Sequence, residues 1–145
     1  MKILTAFFVL CAVAFVAADE PKKEETKLKG KWSAVSLKHA GQALPDDIVK
    51  NFKCNFEDKT YTNVMNEEVI EEGEYTIDDA KSPKTIDFNI KKGREEGKKQ
   101  FGIFKIDGDK MTIVLTEADA KDRPTSFKIE EGSSLIEAVL ERVKP

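Results

Sequence analysis

Apolar and polar residues alternate most cleanly between Gln100 and Leu115, QFGIFKIDGDKMTIVL, and the alternation predicts a β-hairpin. Two tight turns compete, Asp107-Gly108 and Gly108-Asp109. The first sets Ile106 opposite Asp109 and Phe104 opposite Met111, which puts an apolar side chain against a charge. The second pairs Ile106 with Met111, Phe104 with Ile113 and Gly102 with Leu115, a wholly apolar face. The other face then carries Asp107 with Lys110, Lys105 with Thr112 and Ile103 with Val114. A slip of one residue would turn every side chain to the wrong face, so the uniform face selects Gly108-Asp109. Gly102 inside a strand marks a bend or a close backbone approach.

Similar patterns recur along the chain. Trp32 to Leu37 reads as a strand with Trp32, Ala34 and Ser36 on one face, and the chain turns near Gly41. Leu44-Pro45-Asp46-Asp47-Ile48 fits one short helical turn, with proline early and acids in the first turn. Phe52, Cys54 and Phe56 alternate strictly, Glu57 to Lys59 turn the chain, and Thr60 to Met65 extends again. Glu67, Glu68, Glu71 and Glu72 read as a charged crossover before Tyr75 and Ile77 share a strand face. Pro83 ends the following loop, Ile86, Phe88 and Ile90 alternate, and Lys91 to Lys99 is a charged connection. After the hairpin, Ala118 to Pro124 is a loop, and Ser126 to Ile129 is a short strand with Phe127 and Ile129 inward.

The last apolar stretch, SLIEAVLERV from Ser134 to Val143, supports two readings. Leu135, Ile136, Val139, Leu140 and Val143 have helical spacing, and Ser134 with Glu137 forms a capping box. As a strand, Ile136, Ala138, Leu140 and Arg142 share one face, and eight or nine strands need a closing partner. Short strands with turn signals every 8 to 12 residues or so, and no long helix, indicate an all-β sandwich or barrel.

The 145 residues suit one domain. Residues 1–18 have the form of a secretory signal: Lys2, an apolar run from Ile3 to Val16, and small residues before Asp19. Cys11 follows bulky Leu10, which argues against lipoprotein processing. Residues 19–27 read as a charged linker, and residues 28–145 as the folded domain. After cleavage the chain keeps 24 − 1 = 23 basic against 27 acidic residues, a net −4. Such a mixed surface gives no basic stripe for nucleic acid, and no membrane span is expected after cleavage. Only Cys54 survives cleavage, so no intrachain disulfide forms; within its apolar alternation it reads as a small buried hydrophobe.

Several pieces then coincide in order: Leu28-x-Gly30-x-Trp32-x-x-Val35-Ser36, Tyr75-Thr76-Ile77-Asp78 with Pro83-Lys84-x-Ile86-Asp87, Gly102 to Asp109, Arg123-Pro124-x-x-Phe127, and the final stretch ending in Arg142. Over residues 28–143 this order resembles the small lipocalin-like domains of exported bacterial proteins of planctomycete type, a family without an established activity. The resemblance implies a secreted, up-and-down antiparallel barrel, here of eight to nine short strands, and favours the strand reading for Ser134 to Val143; a monomer is expected. It also implies that a basic residue, Arg142 or Arg123, packs over Trp32 to close the barrel floor. A mature chain of 145 − 18 = 127 residues is short for a deep ligand carrier.

Catalytic chemistry finds little support. His39 is the lone histidine, no cluster has zinc-ligand spacing, and Asp107-Gly108-Asp109 lacks the further oxygens of a calcium loop. No nucleophile elbow or phosphate loop occurs. The expectation is a non-enzyme without metal or cofactor. The candidate site is the inward apolar set Trp32, Phe52, Phe56, Tyr75, Phe88, Phe104 and Met111, with Tyr61 a further member. It is either a filled core or a pocket for a small hydrophobic or amphipathic ligand. The alternative is a solid barrel that binds a protein partner, or inhibits one, through charged loops at 66–72 and 91–99.

Overall fold

In a computed structural model, residues 27–145 are described. They form one closed antiparallel barrel of eight strands plus one short extra strand. In chain order the elements are β1 (Gly30–His39), β2 (Gln42–Ala43), α1 (Asp46–Asn51), β3 (Phe52–Phe56), β4 (Thr60–Met65), β5 (Glu68–Asp78), β6 (Lys84–Gly93), β7 (Lys99–Asp107), β8 (Lys110–Leu115) and β9 (Ile136–Arg142). From β3 to β9 each strand pairs with the next. β1 pairs with both β3 and β9 and so closes the ring, while β2 is the extra strand on the end of β1. The proposed leader at 1–18 and nearly all of the 19–27 linker lie outside the described residues.

The hairpin register is the one that the uniform apolar face selects. Ile106 pairs with Met111, Phe104 with Ile113 and Gly102 with Leu115. Gly108 sits at φ +60° in the first central position, where a two-residue turn of this kind requires glycine. A Cβ on Gly102 would stand 2.5 Å from Leu115 Cδ2 and 2.7 Å from the Val114 carbonyl oxygen, so the close approach is real. The C-terminal stretch is strand: β9 bridges β8 and β1, with Leu140 opposite both Met111 and Ala34. Its helical spacing yields to pairing, because a helix there would leave β1 and β8 with unpaired edges inside the ring.

Three expectations fail. The acidic run is no crossover: β4 and β5 join through the two-residue turn Asn66-Glu67, both residues at positive φ, and Glu68 to Glu72 belong to β5. The Lys91 to Lys99 connection is shorter than expected, since β6 runs to Gly93 and β7 starts at Lys99. Ser126 to Ile129 makes no strand, and Phe127 lies outside the barrel, its ring 4.5 Å from Nζ of the outward-facing Lys105. Arg123 explains this. Its Nη1 donates to the Gly102 carbonyl at 2.9 Å, and its guanidinium lies 5.2 Å over Phe101, holding the 116–135 segment against the outer face of β7. Ile103 and Val114, which face outward, are nevertheless fully buried.

Inside, side chains stack in layers from the closed end upward. The floor is Leu28, Trp32, Ile86, Phe104 and Met111, all essentially inaccessible. Above it the ring of Phe56 meets Tyr75 edge-on at 5.2 Å and Phe88 at 6.2 Å, and Tyr61 meets Phe88 at 4.7 Å. Such edge-to-face packing is the favoured aromatic geometry. At the open end α1 lies across part of the mouth, with Ile48 and Val49 packed on the core.

Candidate functional site

The closed end is structural. Arg142, at the end of β9, sets its guanidinium carbon 4.3 Å from the Trp32 ring centroid. Its Nη1 donates to the Lys29 carbonyl at 2.7 Å and its Nη2 to that of Lys27, while Trp32 Nε1 donates to the Leu28 carbonyl at 2.8 Å. The segment before β1 is thereby tied across the floor. Arg123 does not share this position; it lies over Phe101.

The open end is different. A small cavity of about 60 Å³ lies among Phe52, Cys54, Phe56, Tyr61, Phe88 and Leu140, with Asn63, Glu71 and Gln100 at its rim. Of the seven interior residues expected to bind, Phe52, Phe56 and Phe88 line it, together with Tyr61. Trp32, Tyr75, Phe104 and Met111 do not; all four are packed into the lower layers. The barrel is therefore filled through most of its depth and hollow only under the mouth. Gln100 also lines a wider vestibule of about 570 Å³ outside, bordered by His39, Arg94, Glu95, Lys98 and Glu117.

Glu71 is the residue that the sequence reading missed, because it sits in an acidic run. Continuing the inward alternation backward from Ile77 through Tyr75 and Gly73 places Glu71 on the interior face, and that signal was present. Its Oε1 accepts from Tyr61 Oη at 2.8 Å and Asn63 Nδ2 at 3.3 Å. Gly73 makes the arrangement possible: a Cβ there would stand 2.8 Å from the Tyr61 ring and 2.3 Å from the Asn89 carbonyl oxygen. Burial raises the Glu71 carboxyl above the usual glutamate range, against the lowering effect of the Tyr61 bond, and the negative charge of Glu95 adds to the rise. Among the described residues no cation is paired with it. Burial, then the Glu71 charge, push the Tyr61 hydroxyl up, and the same two causes in the same order push up the Cys54 thiol. Neither is poised as a nucleophile.

The charged stretches around the mouth are largely self-paired. Lys53 bonds Glu67 at 2.8 Å, Lys92 meets Glu72 at 2.9 Å, Lys98 meets Glu95 at 2.5 Å and His39 meets Glu117 at 3.1 Å. These features define a closed eight-strand antiparallel barrel with a plugged floor and a small, polar-rimmed cavity under an open mouth, an architecture that fits lipocalin-like binding folds. No family model, curated protein or solved structure matches the chain.

Proposed function

We propose that the protein is an exported, non-enzymatic binding module that takes the anchoring end of a small amphipathic ligand into the mouth of its barrel. The carrying observation is the cavity under the open end, with aromatic and aliphatic walls and three polar side chains, Asn63, Glu71 and Gln100, among its lining. Concave apolar space with a few convergent polar groups is the usual form of a ligand site. The volume limits the ligand. Pockets that enclose drug-sized molecules measure several hundred Å³, so here the end of a ligand is held and its body extends into the vestibule. Kinship to exported lipocalin-like bacterial domains belongs to the same proposal, on the strength of the ordered motifs and the barrel they accompany. The alternative, contact through charged loops, has less support: residues 68–72 are strand, and the charges nearby are mutually paired.

Native mass spectrometry on protein recovered from an exporting cell tests the reading. The expected result is an adduct that is lost on denaturation and absent from Ala138→Leu, which fills the cavity from β9. An adduct retained by Ala138→Leu, or a clean mass in every wild-type preparation, would overturn it.

A further inference from the structure

Resting on that reading of the cavity, we infer that the preferred occupant carries a protonated amine, and that Glu71 is its counter-ion. The inference follows from what the carboxylate lacks. A carboxylate offers about four acceptor positions. Both bonds that Glu71 accepts within the described residues fall on Oε1, from Tyr61 and Asn63, which leaves Oε2 without a protein donor there, on a side chain that lines the cavity. Both donors are neutral, so they orient the group without cancelling its charge. The groups facing it from neighbouring strands do not cancel it either. Cys54 on β3 and Tyr61 on β4 are held neutral by burial, and Gly93, opposite on β6, has no side chain. Gln100 on β7 is uncharged. Glu95, in the turn between β6 and β7, adds negative potential; of the cations in that turn, Lys98 is engaged by Glu95, and Arg94 lines the outer vestibule and not the cavity. A half-buried, oriented and uncompensated carboxylate is costly to keep, and a cation brought by a ligand removes the cost.

The walls determine the rest of the ligand. Phe52, Phe88, Ile113 and Leu140 accept a short alkyl or aryl group, and ring faces beside an ammonium add attraction of their own. A carboxylate-bearing ligand meets charge repulsion at Glu71. An alcohol of the same shape can donate to Oε2 but brings no charge, so it binds about tenfold more weakly.

The test is an NMR titration of wild type and Glu71→Gln with n-butylammonium, 1-butanol and butyrate, read at the amides of Asn63, Glu71, Gln100 and Ala138. The expected ranking in wild type is butylammonium about tenfold tighter than butanol, with butyrate weakest. Glu71→Gln should erase the amine's advantage and leave butanol unchanged. Butylammonium affinity should also fall as pH is lowered through the raised Glu71 range, because the counter-ion is then neutral. Equal binding of amine and alcohol, or an advantage that survives Glu71→Gln, overturns the amine assignment and leaves the cavity reading standing. No shift at these amides with any of the three overturns both. The wild-type ranking decides the matter even if Glu71→Gln folds poorly.

Discussion

Replacing Arg142 by methionine tests how the barrel floor is held. The substitution keeps a long apolar stem over Trp32 and removes the guanidinium. Three interactions go with it: the stack at 4.3 Å on the indole, the donation to the Lys29 carbonyl at 2.7 Å, and the donation to the Lys27 carbonyl. A partly desolvated cation–π contact contributes about 1–2 kcal/mol. A hydrogen bond from a charged donor contributes about 1.5–3 kcal/mol when buried. The Arg142 side chain keeps 27 % of its surface exposed, so water recovers part of both bonds. The ion pair with Asp109, at 3.5 Å and half in solvent, adds little. The sum is a loss of roughly 3 kcal/mol, or about 10 °C in Tm for a domain of this size. Arg142→Lys keeps the charge but not the fork, since one ammonium cannot stack and reach both carbonyls; it should lose about half as much. Trp32 is the chain's single tryptophan, so its emission reports on the floor alone. Urea unfolding followed by that emission and by circular dichroism gives both numbers, and the native emission should shift to the red as Leu28 and its neighbours loosen. Arg123→Met is the control: it should detach the 116–135 segment and leave the native emission unchanged. A loss below about 0.5 kcal/mol for Arg142→Met, within the range of ordinary surface substitutions, would refute the account.

Other perturbations separate the mouth from the floor. Gly73→Ala should cost about 3 kcal/mol in urea unfolding, because a methyl there meets the Asn89 carbonyl at 2.3 Å and backbone cannot step aside as a side chain would; a neutral result would mean that β5 and β6 separate easily. For Glu71→Gln the sign follows from linkage. A carboxyl whose folded value is raised contributes stability that is complete below 4.5, the ordinary glutamate value, and is lost as pH rises through the folded value. The variant should therefore be more stable than wild type at about pH 8, with the gap closing at about pH 4; equal unfolding midpoints at both would show that Glu71 is solvated. Cys54, buried with its thiol pushed up, should react with a disulfide reagent only as fast as the protein unfolds, and rapid labelling of the native state would contradict its placement.

The fold was largely legible because strict alternation leaves few choices. In the hairpin, one register gives a clean apolar face and the other does not, and the structure has the clean one. The C-terminal stretch was ambiguous for a physical reason. Leu135, Ile136, Val139, Leu140 and Val143 suit a helix locally, and only the need of β1 and β8 for a shared partner decides for strand. That need is a property of the closed ring and of no window of ten residues. Phe127 misled in the same way: an apolar residue between polar ones reads as an inward strand position, whereas here it covers an outer face that Arg123 brings within reach.

The site escaped because composition and periodicity gave opposite signals. Four acids in six residues, Glu67 to Glu72, read as a solvated connection, yet three strands change character toward the mouth of the barrel. On β4 the inward series passes from Tyr61 to Asn63, on β5 from Gly73 back to Glu71, and on β7 from Gly102 back to Gln100. On β3, β8 and β9 the lining of the cavity stays apolar, with Phe52, Cys54, Leu115 and Ala138. The cavity lining is therefore split, polar where β4, β5 and β7 contribute and apolar where β3, β8 and β9 do. A core selected only for stability has no use for a half-buried carboxylate in that lining, since methionine or leucine would pack there without desolvation cost. The layers below show what such selection yields: interlocked aromatics and, among the described residues, no interior side-chain polar atom without a partner. On the proposed reading, the asymmetry of that lining, set on a barrel otherwise filled, would orient an amphipathic ligand with its charged end toward β5 and its apolar face toward β9.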